Sequence, residues 1–321
     1  MATQEEIRAI YEANLKPKLE IFEEQRKGIV KKFVPVLIGG IVLVILLLIL
    51  LSYLEEGWEW LIFISCFIIL VGVFIYYLFL ISPYKKEFKQ NVVGRIVNFV
   101  DENLNYVPDK KITLSEFRAS MLEKFWQSID RWDGEDCVEG KLGKTAVKFS
   151  EVRAEHKTTT RNGQTKTNFK GLFFIFDFNK DFEGFTVVQP DYAERYFDWF
   201  GKMLQSFQGK IKPGELVKFA DTEFEREFVV YSNNQITARY VLSTSLMRRL
   251  LTFRRKLKKA VYLSFVNGKL YIGIPVKKDL FEPTVFKTLL DFNLISEFFE
   301  YIQLGKDIVK ELNLNTRIWS K

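Results

Sequence analysis

The 321-residue chain has one histidine and two cysteines. His156 stands in a polar stretch with no second His or Cys nearby, which argues against a His-based metal site or a His-centred catalytic triad. Cys66 and Cys137 are too few for a disulfide framework, and both read as reduced thiols in a cell interior. No nucleophile elbow of the Gly-x-Ser-x-Gly type occurs, and no dinucleotide-binding Gly-x-Gly-x-x-Gly. Gly143-Lys144-Thr145 resembles the end of a phosphate-binding loop, but Val138 holds the position of the leading Gly and a strand follows. Asp177, Asn179 and Asp181 have the spacing that opens a calcium loop, yet Phe182 and Val188 replace its Gly and its closing Glu. The sequence therefore offers no catalytic set, no metal set and no cofactor motif, and the balance is against an enzyme.

Charge is missing in a more informative way. From Phe33 to Leu54, and again from Trp60 to Ile81, there is no Asp, Glu, Lys, Arg or His. Each run has 22 residues, and at about 1.5 Å per residue each helix would reach about 33 Å, enough for a hydrocarbon core of about 30 Å. Pro35 is expected in the first turn, where its missing N–H costs little. The connecting Glu55-Glu56-Gly57-Trp58-Glu59 holds three acids and no base, whereas Arg26, Lys27, Lys31 and Lys32 precede the first run and Lys85, Lys86 and Lys89 follow the second. The positive-inside rule then predicts a hairpin with both termini in the cytoplasm, with Trp58, Trp60, Tyr76, Tyr77 and Tyr84 at the interfaces.

The expected organisation is α+β. Residues 1–32 form a cytoplasmic amphipathic helical segment that Pro17 breaks or bends. Residues 33–81 are the transmembrane hairpin, with spans at 33–54 and 60–81. Residues 82–130 are juxtamembrane helices, one over 85–103 and one over 113–128 started by a Thr113/Glu116 capping box. Residues 131–321 are a cytoplasmic domain of mainly antiparallel strands with flanking helices. Alternation predicts strands over 137–142, 146–154, 171–178 and 184–188, and the polar stretch 155–168 a hairpin tip. Residues 191–207 read as a helix, and 228–231 and 236–242 as strands around an Asn233-Asn234 turn. Residues 244–259 read as a basic amphipathic helix. Strands over 261–266 and 270–275 flank Asn267-Gly268, and 281–312 finish with helices, Pro283 starting the first of them with Glu282 beside its positive end.

Acids are absent for 51 residues between Glu227 and Asp279, a stretch with eleven bases. Seven of these, Arg248, Arg249, Arg254, Arg255, Lys256, Lys258 and Lys259, lie on or at the end of the basic helix. They are candidates for contact with anionic lipid headgroups, at roughly 1 kcal/mol per base near the surface. The alternative is a solvated face neutralised by acids elsewhere, such as Glu297, Glu300 or Asp307. Phe253 is the only aromatic among these bases, which disfavours nucleic acid. Arg239, alone among Ala238, Tyr240, Val241 and Leu242, is a candidate for a buried ion pair or a ligand contact.

Several longer motifs carry a resemblance. They are Gly134-Glu135-Asp136-Cys137-Val138-Glu139-Gly140-Lys141-Leu142-Gly143-Lys144-Thr145, then Phe149-Ser150-Glu151-Val152, and a run from Phe169 through Gly171 to Lys180. Further on stand Phe228 to Ser232, Ala238 to Leu242, and Asp279 to Pro283. In these the chain resembles a bacterial family of two-span membrane proteins known as a domain of unknown function (number thirty-one thirty-seven), from the anchor to the C-terminus. The resemblance implies a bacterial cytoplasmic-membrane component with no assigned reaction. The expected function is a membrane-anchored scaffold or adaptor that binds a protein partner or the anionic membrane surface. The alternatives are an enzyme or sensor for an anionic, lipid-derived ligand, and an oligomeric transporter or channel component.

Overall fold

The computed structural model describes residues 4–51, 59–125, 128–157, 165–178, 182–191 and 214–315. Residues 158–164 of the expected 155–168 hairpin tip, residues 192–207 of the expected 191–207 helix and the loop residues Glu55, Glu56 and Trp58 lie outside these. The chain divides into a helical unit, residues 2–95 with 281–298, and a sheet unit, residues 96–280 with 299–321.

In the helical unit, α1 (Glu5–Leu51) and α2 (Glu59–Val100, whose last turn belongs to the sheet unit) are each continuous and apolar enough to cross a membrane. Pro17 neither breaks nor ends α1. A wide turn over Tyr11–Leu15, in which the Lys16 N–H reaches the Tyr11 carbonyl, precedes it and absorbs the irregularity. Pro35 falls inside the continuous helix rather than in a first turn, so its missing N–H leaves a gap in the ladder. The two helices approach closely at Gly40, where a Cβ would meet Val73 Cγ2 at 2.9 Å. Toward their charged ends they are welded by aromatics, with Phe33 against Tyr77 at 4.9 Å and Phe22 edge-on to Phe88 at 5.6 Å. Leu15, Leu19 and Phe88 are fully buried there.

The third component of this unit corrects an expectation. Residues 281–291 are irregular, and a helix, here α7 (Phe292–Glu311), begins only at Phe292. Glu282 does not sit at a helix start. Its carboxylate bridges Lys85 at 2.6 Å and Lys89 at 2.8 Å on α2, and Lys89 is buried. Phe281 and Val285 are buried, and Phe298 meets both Phe281 and Phe88 edge-on. Segment 281–298 thus clasps the stem of the helix pair.

Among the described residues the sheet unit holds nine strands, all antiparallel, in the order β1-β2-β3-β4-β9-β8-β5-β7-β6. They are β1 (Leu104–Val107), β2 (Arg131–Leu142), β3 (Thr145–Lys157), β4 (Thr165–Asp177), β5 (Phe185–Pro190), β6 (Glu215–Val217), β7 (Phe228–Ser232), β8 (Tyr262–Val266) and β9 (Lys269–Pro275). The β8–β9 hairpin turns on Asn267 and Gly268, both at positive φ, as expected of that dipeptide. β4 is central and buried on both faces. Phe173 joins Ile112, Phe117, Phe169 and Tyr271 in one core cluster, whereas Phe174 and Phe149 meet Gly305 of α7.

Helix α3 (Leu114–Ala119) has the expected capping box, Thr113 N–H to Glu116 Oε2 at 2.8 Å and Glu116 N–H to Thr113 Oγ1 at 3.2 Å. It stops far short of 128, because Met121 takes a left-handed conformation. α4 (Thr222–Glu227) follows β6. The segment 236–242 is not a strand but part of helix α5 (Gln235–Val241). The Asn pair does not make a hairpin turn: Asn234 Oδ1 accepts from the N–H groups of Ile236 and Thr237 and starts the helix. The basic helix is α6 (Thr244–Leu257).

Candidate functional site

Ser243 caps α6, accepting from the Leu246 N–H at 3.4 Å, and Lys258 in the left-handed conformation ends it. Leu246, Met247, Leu250, Leu251 and Phe253 recur at three- and four-residue spacing and are buried, which turns the bases outward. Most of those bases are engaged within the fold. Arg255 pairs with Glu223 at 2.8 Å and Glu227 at 2.7 Å, both on α4. Arg254 bonds the Glu227 carbonyl and stacks on the Phe228 ring at 4.9 Å. Lys256 reaches the Glu311 carboxylate at 3.0 Å, and Arg249 the Glu311 carbonyl at 2.9 Å. Lys259 donates to the Tyr301 hydroxyl at 3.1 Å. Of these seven bases, all among the described residues, Arg248 and Lys258, both exposed, are the two whose side chains have no carboxylate, carbonyl or hydroxyl acceptor. Glu223, Glu227 and Glu311 are thus among the acids that neutralise this face.

Arg239 is neither buried nor paired with a carboxylate among the described residues. It lies exposed on α5, donating to the Gln235 carbonyl and side chain and to the Lys218 carbonyl. α5 packs beside β5, β6 and β7, whereas Glu135 and Asp136 are on β2 near the opposite end of the sheet. Arg239 and these acids therefore share no site.

A buried carboxyl does emerge, on β3, where the sequence reading placed none. Glu151 is 5% exposed and accepts from the Leu280 N–H at 2.8 Å. Burial, reinforced by Asp136, Asp279 and Glu135 nearby, pushes its pKa up to about 7. The nearest neighbour in this arrangement is a bulge of β2 between Glu135 and Val138. There Asp136 takes positive φ, is fully buried and accepts from the Tyr106 hydroxyl. Glu151 lies within one of the motifs that carry the family resemblance, and that was the only signal for it. It acts as a latch, tying the chain after β9 to β3. Cys137 beside the bulge is buried, and burial pushes its thiol up to about 11.

One further cavity, of about 300 Å³, lies against β6 and α4, lined by Asp191, Val217, Lys218, Phe224, Glu225 and Phe228. Among the described residues no three His, Cys, Asp or Glu side chains converge as a metal site.

Comparison with curated proteins and with solved structures gives no match. Residues 167–314, from within β4 through α7, match the family model described as "Protein of unknown function (DUF3137)". The motifs at 134–145 and 149–152 and both long apolar helices lie outside the matched stretch. Through residues 167–314, then, the chain is similar to this family of unknown function.

Proposed function

We propose that the protein is a membrane-anchored scaffold or adaptor. In this reading α1 and α2 cross the bacterial cytoplasmic membrane as a hairpin with both termini inside. The sheet unit then meets a protein partner or the anionic inner surface. The observation that carries the reading is the outward-facing apolar surface of the helix pair. In α1 none of the most apolar eighteen residues is buried, and in α2 only 11% of them are. Ile38, Ile49, Phe67 and Phe79 stand more than half exposed. Such a surface in water would be a large aggregation liability, and a bilayer is what it suits.

The clasp supports the adaptor part. Segment 281–298 returns from the far end of the chain to the stem, so the anchor and the sheet unit are joined by more than one linker. The sensor alternative draws no support from Arg239, which shares no cavity with Glu135 or Asp136.

The test is carbonate extraction of the full chain together with reporter fusions at residue 57 and after Lys321. Retention in the membrane with the two reporters on opposite sides is the expected result. Release by carbonate would overturn the anchor, and reporters on the same side would overturn the topology. In-cell crosslinking from Arg248 and Lys258, the bases left uncommitted on α6, reads whether lipid or protein lies against that face.

A further inference from the structure

The clasp carries an exposed aromatic, Phe286. Phe286 is 63% exposed, yet its ring stacks on Tyr77 at 6.4 Å with an interplanar angle of 8° and lies 6.5 Å from Phe33. Those two partners fix its height. Phe33 is the first residue of the first uncharged run, directly after Lys31-Lys32, and Tyr77 lies inside the second, four residues before Ile81. Lys85, the first base beyond Tyr77, is eight residues on, or about 12 Å along a helix. A ring stacked on Tyr77 and tilted against Phe33 is level with the cytoplasmic end of both apolar runs.

The backbone around it is prepared for a dry setting. The Val285 carbonyl accepts from Arg26 Nη1 at 2.8 Å, and the Leu290 carbonyl from the Tyr11 hydroxyl at 3.0 Å. The Lys287 carbonyl accepts from Thr284 Oγ1 at 2.9 Å. The Leu289 N–H donates to Glu23 Oε2 at 3.0 Å, and the Leu290 N–H to Thr288 Oγ1 at 3.2 Å. Each polar group of an irregular loop that is answered from within lowers the cost of facing lipid, and these five are so answered. Lys287, next to the ring, is exposed, as are Lys31 and Lys32.

We propose that the 284–290 loop is a third membrane contact: Phe286 inserts at the headgroup–acyl boundary of the inner leaflet, and Lys287 reaches the phosphates above it. The pairing of an apolar ring in the acyl boundary with a base at the headgroups is that of interfacial anchors. The inference rests on the spans reading above. Its consequence is that the clasp is held by the bilayer as well as by the stem.

The experiment uses the full chain with Cys66 and Cys137 replaced by Ala, reconstituted in phosphatidylethanolamine–phosphatidylglycerol vesicles. An environment-sensitive fluorophore is placed by Phe286→Cys, by Phe79→Cys within the second apolar run, and by Lys269→Cys on the β8–β9 hairpin. Quenching by nitroxides high on the acyl chain is compared with quenching by aqueous iodide. The expected result is loss of emission to the acyl nitroxide at positions 79 and 286, with iodide effective only at 269. Acyl quenching at 79 with iodide quenching at 286 would overturn the loop contact and leave the anchor standing. Iodide quenching at both would overturn the anchor and the loop contact together. A label at Lys287→Cys leaves the Phe286 stack in place. There, quenching by headgroup nitroxides supports the contact, and iodide access equal to that at 269 counts against it.

Discussion

Glu23 and Leu289 stand 266 residues apart, yet the Leu289 N–H donates to Glu23 Oε2 at 3.0 Å. The same carboxylate holds Arg26 through two bonds, of 2.7 and 2.9 Å, and Arg26 in turn bonds the Val285 carbonyl. Both side chains are largely buried. Removing one partner of such a pair leaves a buried charge uncompensated. Glu23→Ala should therefore cost about 3 kcal/mol and loosen the clasp. Hydrogen exchange should rise across residues 281–298 and not in β3 or β4.

The two units should respond to pH in opposite directions. Arg26 holds the Glu23 carboxyl below its ordinary range, with burial opposing. A depressed carboxylate contributes stability above its unfolded pKa and loses it as pH falls through the folded one. Acid should therefore release the clasp. Glu151 has the reverse sign. Its folded pKa of about 7 lies above the ordinary 4.5, so the folded state binds more protons in that window and stability falls as pH rises through it. Glu151→Gln should raise Tm relative to the native chain at pH 8, by up to about 3 kcal/mol in stability, and leave it nearly unchanged at pH 5. Equal differences at the two pH values would contradict the latch.

Gly171 sits in β4 at a φ of 152°, and a Cβ there would lie 2.2 Å from the Ile274 carbonyl oxygen of β9. Both atoms belong to backbone in mid-sheet, so neither can give. Gly171→Ala should part the β4–β9 ladder and cost at least about 3 kcal/mol, read as a lowered Tm and reduced yield.

On α6 the bases separate into two kinds. Glu227→Ala strips Arg254 and Arg255 of their shared partner, and should lower stability by about 1 kcal/mol whether or not lipid is present. Arg248→Glu with Lys258→Glu should change Tm by less than about 0.5 kcal/mol equivalent. If the face meets lipid, the same pair of changes should still reduce contact with anionic headgroups. Thermal unfolding in detergent and in-cell crosslinking measure the two effects separately.

What was legible in the sequence had local causes. The two apolar helices followed from runs without charge, α3 from a capping box, and the β8–β9 hairpin from Asn267-Gly268. The strand-to-helix error at 236–242 came from Asn234, whose side chain serves equally well in a turn or as a cap. The clasp was misread because Pro283 and Glu282 look like a helix start, and only α2, two hundred residues earlier, supplies the lysines that claim Glu282. The same holds for Glu151: its burial is made by β2, β4 and the chain after β9, none of which alternation within β3 could reveal. Long-range pairing decided these last two.

The clasp also has a consequence for synthesis. α1 and α2 leave the ribosome first, and every residue of the sheet unit through Leu280 is made before Phe281. Until then Glu23 and Arg26 have neither Leu289 nor Val285, and Phe22 and Phe88 lack part of their cover. A nascent chain stalled or cut before residue 281 thus carries an open stem, with a half-satisfied ion pair displayed beside the apolar helices. The closed stem thus marks that the strands up to β9 have already been made.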